Sequence, residues 1–350
     1  MRSNARAQID FLRLREAGAL AQCFAVFLDR EACKRQGVSP WRRYERLRDH
    51  FFTELKKNED VVRQVRTAKE LADAERCGMP GAILTVEGGE LLACEPYGDC
   101  ETCGDCELCG DRGTCGDRGS CSGREPCGGR AAHEKAGCSG TAEAEAAPYN
   151  ATDVLRARLD RMWEDGVRLL TLTWNYENAL GYPNGSEGGL KPAGYEAVAY
   201  MQKLGMLVDV SHLSDRGFWD VLKVAKKPVV ASHSCARTLC GHQRNLTDAQ
   251  LRALGENGGI VGVNFHAPFL KENGVSGSVE EVAHHLRHII SCAGSEAAAL
   301  GSDYDGMQGT PQWGGCEGMP HLIEALSLYF DEKTLRKICY QNASRLFAQH

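Results

Sequence analysis

Seven short apolar runs punctuate the chain, at residues 21–28, 81–86, 167–173, 206–210, 228–232, 259–264 and 298–302, and most of them are continuously apolar. Strands buried on both faces require that composition, because neither face meets water. Between the runs lie longer stretches whose apolar residues recur at intervals of three and four. They predict helices over 41–57, 61–77, 153–165, 193–204, 215–225, 247–257 and 279–293. Thr247, and Ser214 with Asp215, read as helix starts, while Gly205, Gly258 and Gly294 read as stops. Strand then helix, repeated along the chain, predicts a parallel sheet with helical crossovers.

Seven parallel strands fit either an open doubly wound sheet or most of an eight-stranded barrel, and the polar residues that end the runs separate the two. Glu87 closes the second run, Trp174 and Asn175 the third, His212 the fourth, His233 the fifth and Asp303 the seventh. An open sheet gathers its ligands at one switch point. A barrel brings the C-terminal ends of all its strands around one mouth, so acids and imidazoles from distant strands meet there. The expected fold is therefore α/β, a (β/α)8 TIM-type barrel that needs one more strand.

Charge and cysteine content divide the chain. Residues 95–147 carry eleven acids and five bases, so the whole formal charge of −6 resides there and the other 297 residues are balanced. A balanced body lacks the clustered basic face that a nucleic-acid partner needs. Nine of the 17 cysteines lie between Cys94 and Cys138, with Cys100, Cys103, Cys106 and Cys109 at intervals of three. Two readings stand for this stretch: a low-complexity insertion in a surface loop, or a thiolate run that binds zinc or an iron–sulfur cluster. The expected organisation is a barrel domain from residues 1–94 and 148–350 interrupted by an insertion at 95–147. The other eight cysteines are scattered singly, as small buried residues would be. No apolar run reaches the ~18 residues of a membrane span, and the charged start lacks a secretion signal. A reducing cytoplasm is the expected location.

His212 in VDVSH and His233 in VVASHS each follow an apolar run, and Glu87 closes ILTVEGG. Singly, each histidine fits a structural role. Together, two imidazoles and a carboxylate on three strand ends fit a borderline-soft cation such as zinc, with a position left for water. Asp303, in LGSDYDG, is the candidate general base. Asp305 is expected to start the following turn. Arg244, in GHQRNL, is a candidate clamp for a substrate carboxylate, with a cap or surface pair as the alternative. His284, His285 and His288 look like a helical comb of metal ligands, but Val282, Leu286 and Ile289 make the segment an ordinary amphipathic helix. His266 is placed near the pocket without a spacing argument. Gly88 and Gly89 read as turn chemistry rather than a phosphate cradle.

The ordered blocks ILTVEGG, GVRLLTLTWN, GMLVDVSHLSD, PVVASHS, HQRNL, NGGIVGVNF and LGSDYDG resemble the membrane dipeptidase (renal dipeptidase) family of zinc peptidases, from about Ala7 to the C-terminal NASRLF. The resemblance implies a (β/α)8 barrel with two zinc ions that hydrolyses dipeptides by a metal-activated hydroxide. It makes Glu87 the bridging, catalytic carboxylate and His212 and His233 the ligands of the second ion. It further makes Asp303 the proton acceptor and Arg244 the carboxylate clamp. The family's first strand ends in a His-x-Asp pair that would precede Ala7 by some twenty residues. With the chain starting at Met1, two readings stand: a start placed too late, or a barrel without strand one, in which a single metal could replace the family's two and impaired or absent turnover is the alternative to dipeptidase activity. Trp174 stands where animal members have a substrate-contacting histidine, so it joins the substrate-binding candidates. The implied partner is a small dipeptide, with a homodimer as the allowed assembly.

Overall fold

The computed structural model describes residues 1–93 and 151–349. The expectation of an insertion at 95–147 lies outside the described residues. Eight strands form one parallel sheet: β1 (Ala21–Phe27), β2 (Arg63–Gln64), β3 (Gly81–Glu87), β4 (Val167–Thr171), β5 (Leu207–Asp209), β6 (Val230–Ala231), β7 (Ile260–Val263) and β8 (Ala298–Leu300). The order is β1-β3-β4-β5-β6-β7-β8, and β2 pairs the first two residues of β3. All seven predicted strands are present and mostly shorter, and helices join them as the parallel arrangement demands. This is the (β/α) barrel type. Among the described residues no ladder joins β8 to β1.

Side chains that point into such a sheet recur every second residue. The inward positions read Ile83, Thr85, Glu87 on β3 and Leu207, Asp209 on β5, and they run Ala299, Gly301, Asp303 along and beyond β8. The sheet interior is thus layered. Leu207, Val230, Ile260 and Ala299 form an aliphatic floor with Leu346, which the C-terminal helix Asn342–Gln349 inserts from below. Above it lie small or hydroxylated residues, and above those the groups at the mouth. Gly262 and Gly301 belong to the middle layer, where a Cβ at either would come within 2.2 Å of the Ser232 carbonyl oxygen.

The predicted helix over 61–77 is a misreading. Val61, Val62 and Val65 are buried around the short strand β2, and helix Ala68–Arg76 begins only after Thr67, whose hydroxyl accepts from Glu70 N. The stiffness of three β-branched residues favours the extended backbone there. The helix stops hold: Gly205, Gly258 and Gly294 all have positive φ.

The first and last parts of the chain meet beside the β8 end. Gln8 Nε2 donates to Gly309 O (2.7 Å), Gln8 Oε1 accepts from Asp305 N (2.9 Å), and Gln8 O accepts from Cys316 N (2.9 Å). Asp305 Oδ1 accepts from Gln8 N at 2.6 Å, so this residue ties the N-terminal segment down, while the turn itself starts at Asp303, whose carbonyl accepts from Gly306 and Met307. Arg13 adds an ion pair to Glu317 at 2.7 Å. Together these bonds hold the loop that carries Asp303. In Gln8→Ala two side-chain hydrogen bonds are lost at a half-buried position, a cost of about 1 kcal/mol. Hydrogen exchange should accelerate across residues 303–317 with the β5 and β7 amides unchanged; uniform acceleration, or none, would refute the role given to Gln8.

Candidate metal and substrate site

The mouth of the sheet gathers three of the predicted groups into one cluster. Glu87 is the last residue of β3, and its Oε1 lies 3.0 Å from His212 Nε2 and 3.4 Å from His233 Nε2. The two imidazole Nε2 atoms are 2.9 Å apart. His212 follows β5 in a left-handed backbone conformation (φ 69°), which turns its ring inward, and such a conformation costs a non-glycine residue on the order of 1 kcal/mol. His233 follows β6 with its backbone N–H donating to Ser211 Oγ.

Each ring is oriented from behind. His212 Nδ1 pairs with Asn175 Oδ1 at 2.8 Å, and His233 Nδ1 with Ser232 Oγ at 2.7 Å. Ser232 Oγ in turn donates to Asp209 Oδ2 at 2.6 Å. With a metal in the cluster, Nδ1 of each ring would be the donor and both Nε2 lone pairs would be free to face the ion. That is the arrangement in which metal-ligating histidines are held by acceptors behind them. Sequence reasoning missed Asn175 as a support, and missed Asp209 and Ser232 entirely. The period-two pattern, which puts Asp209 inward from the strand, was the available signal.

Charge distribution at the cluster is uneven. Burial raises the cost of ionising Glu87, but hydrogen bonds from both imidazoles outweigh it and hold the carboxyl well below its usual range. Burial, with the Arg244 cation adding to it, pushes His212 down to about 3. At His233 burial acts in the same direction, yet Asp303 and Glu87 overcome it and raise the imidazole above its ordinary value. The surroundings thus disfavour charge on His212 and favour it on His233.

Arg244 is buried beside this cluster, with Nη2 donating to His233 O at 3.3 Å and the guanidinium 5.5 Å from the Phe269 ring centroid. Among the described residues its buried Nε finds no acceptor, and burial lowers its pKa although Asp303, Glu87 and Asp209 counteract this. A buried cation with an unused donor is the chemistry that an incoming anion satisfies. Asp303 sits at φ 59° after β8, and its Oδ2 accepts from Asn264 Nδ2 at 3.0 Å. Gly306 allows this, since a Cβ there would lie 2.3 Å from Asp303 Oδ1. Trp174 packs edge-on to Phe27 (4.8 Å between centroids) and lies 6.3 Å from His212, at the rim. His266 and His242 both flank Phe269, with centroids 4.8 and 4.5 Å away, so His266 does lie beside Arg244's aromatic neighbour.

The comb on helix Val279–Ala293 comes apart. His285 is buried, with its ring between Ala236 N and Leu270 O, His284 faces Glu280, and His288 pairs with Asp248. No helix among the described residues is long and apolar enough to cross a membrane. All eight cysteines in the described residues are free thiols.

The donor set of Glu87, His212 and His233, all meeting at one point with their outer nitrogens supported, fits a divalent metal of the zinc class. The sequence model of the membrane dipeptidase family (peptidase family M19) matches residues 150–350. An uncharacterized protein in the pqqA 5′ region of Klebsiella pneumoniae is 36% identical over 200 residues, covering 54% of this chain and 74% of that protein. An uncharacterized dipeptidase of Schizosaccharomyces pombe is 41% identical over 167 residues, covering 46% of this chain and 40% of the relative. Among solved structures, a dipeptidase described as a metallopeptidase of family M19 superposes with TM-score 0.76 at 24% identity, covering 100% of this chain and 91% of the other. A metallopeptidase from Rhodobacter sphaeroides, liganded with a phosphinate mimic of the dipeptide L-Ala-D-Ala, superposes with TM-score 0.75 at 23% identity, covering 100% and 92%. The match over more than half of its length, and the mouth cluster of two imidazoles and a carboxylate, establish that the chain belongs to the membrane dipeptidase family.

Proposed function

We propose that this protein is a zinc-dependent dipeptidase whose metal is held by Glu87, His212 and His233. The observation that carries the proposal is the meeting of Glu87 Oε1, His212 Nε2 and His233 Nε2 within 3.4 Å of one another at the mouth of a parallel barrel sheet. A zinc-class ion bound there supplies Lewis acidity, polarising a carbonyl and making water nucleophilic near neutral pH. The chain's own residues do the rest. Arg244 takes the free carboxylate of the dipeptide, which selects short substrates whose C-terminus lies one residue from the scissile bond. Asp303, positioned by Asn264, receives the proton of the attacking water and returns it to the leaving amine. Trp174 offers an indole N–H and an apolar face at the rim, which can donate to a substrate carbonyl but cannot accept a proton.

A second reading, a member that binds metal or peptide without turnover, is supported by one observation. Among the described residues the mouth cluster offers three ligand atoms, enough for a single ion. Reconstitution with Zn2+ followed by assay against a panel of L,L- and L,D-dipeptides separates the readings: turnover that rises with bound metal supports the dipeptidase, metal uptake with no turnover supports the second reading, and neither defeats both.

Three outcomes follow from the geometry. Arg244→Ala should raise KM for free dipeptides far more than for carboxyl-blocked ones, and equal effects on both would remove Arg244 from the substrate role. Ser232→Ala takes away the acceptor behind His233 Nδ1 and should weaken Zn2+ binding about 10–100-fold, measured by chelator competition. Because His233 is raised above the ordinary imidazole value of about 6.5, protons compete with the metal from near neutral pH downwards. Zn2+ affinity should therefore fall about tenfold per pH unit once His233 is protonated, and a flat profile between roughly pH 5 and 8 would contradict this assignment.

A further inference from the structure

A second cluster of metal-binding side chains lies away from the mouth, on the helical layer. His288 and Cys292 sit four residues apart on helix Val279–Ala293, one above the other on the same face. Asp248 opens the neighbouring helix Asp248–Glu256. His288 Nε2 is 2.8 Å from Asp248 Oδ1 and 3.6 Å from Cys292 Sγ, and the three ligand atoms all lie within 4.8 Å of one another. Thr238 Oγ1 donates to the same Asp248 oxygen at 2.8 Å and fixes the carboxylate from behind. All three residues are half-buried, so an ion can enter from solvent.

A His–Asp contact alone is an ordinary ion pair. What distinguishes this one is the thiol that shares the same imidazole nitrogen. Zinc bonds of about 2.0–2.1 Å to nitrogen and oxygen and about 2.3 Å to sulfur place tetrahedral N and S ligands about 3.5 Å apart and N and O ligands about 3.3 Å apart. The Sγ–Nε2 separation already matches, and the carboxylate needs to move back by about half an ångström. The same convergence does not suit nucleophilic catalysis. A base that activates the thiol would need one nitrogen for Sγ and the other for the carboxylate, whereas here both meet Nε2. Arg252 bears on both Asp248 and Cys292, and its positive charge opposes a second cation at the site.

We propose that Asp248, His288 and Cys292 form a peripheral binding site for a zinc-class divalent ion, separate from the mouth cluster and sharing no residue with it. Binding releases the Cys292 thiol proton to solvent and moves the imidazole proton to Nδ1, so that Sγ, Nε2 and Oδ1 become the ligands and water completes the shell. The ion would link the two helices. It would also anchor the far end of the segment that runs from His233 through Arg244 to Asp248.

The test uses the full-length protein, stripped of metal and then treated with Zn2+ alone. Alkylation of Cys292, read by mass spectrometry of its own peptide, should slow at least tenfold when Zn2+ is present. The protection should vanish in His288→Ala. Reading the Cys292 peptide keeps the signal apart from the nine cysteines at 94–138 and from the mouth. An unchanged alkylation rate in the wild type, or full protection retained in His288→Ala, overturns the proposal. Metal content gives an independent measure: the double variant His288→Ala/Cys292→Ser should retain one equivalent fewer per chain after dialysis, and equal retention also overturns it.

Discussion

Asp209 ends β5 with no exposed surface, and its two oxygens accept four hydrogen bonds, from Ser211 N and Ser232 N on one side and from the Thr171 and Ser232 hydroxyls on the other. Three neighbouring strand ends are thereby tied to one carboxylate. The β5–β6 ladder is short, a single register pair at Asp209 and Val230, so backbone pairing alone would leave those ends loosely related. The side-chain network replaces the missing ladder. His212 and His233 leave the sheet from those same ends, which is why their rings meet Glu87 rather than solvent. A carboxylate with four donors has its acceptor capacity filled, so it can remain buried without the penalty of an unpaired group.

Function at the mouth rests on contrast between layers. The aliphatic floor of Leu207, Val230, Ile260 and Ala299 needs no polar partner and provides rigidity. Two residues further along each strand the side chains become hydroxyl, carboxylate or glycine, and two further still come Glu87, Asn264 and Asp303. A barrel sheet turns this simple alternation into a polar cup on an apolar base. The cup is electrically asymmetric: burial and then Arg244 lower His212, while Asp303 and Glu87 outweigh burial and raise His233. Among the described residues Arg244 makes no direct ion pair, although Asp303, Glu87 and Asp209 all act on its charge.

Misreadings along the chain have specific causes. The stretch 61–77 carries apolar residues at spacings that a helix would also use, and only the buried packing of Val61, Val62 and Val65 against the sheet decides for strand and turn. Helices such as Phe11–Glu16 and Arg30–Gln36 are too short to show a period, and they depend on the caps Asp10 and Asp29. The three histidines of helix Val279–Ala293 look equivalent in sequence. In the folded protein one is buried between backbone groups, one faces a glutamate, and one meets an aspartate forty residues away.

From sequence alone, the parallel α/β class and the strand positions could be read, and Glu87, His212, His233 and Asp303 could be picked out as candidates, because continuous apolar runs and the polar residues that end them are local signals; Arg244 was a candidate from its HQRNL motif. The convergence of those five, the support of the two imidazoles by Asn175 and by Ser232 with Asp209, and the partnership of Asp248 with His288 and Cys292 belong to the tertiary structure. Apart from the neighbouring pairs Ser232–His233 and His288–Cys292, those contacts join residues tens of positions apart or more. Their distances are set by how strands twist and helices pack, and nothing in the local pattern of a single segment encodes that.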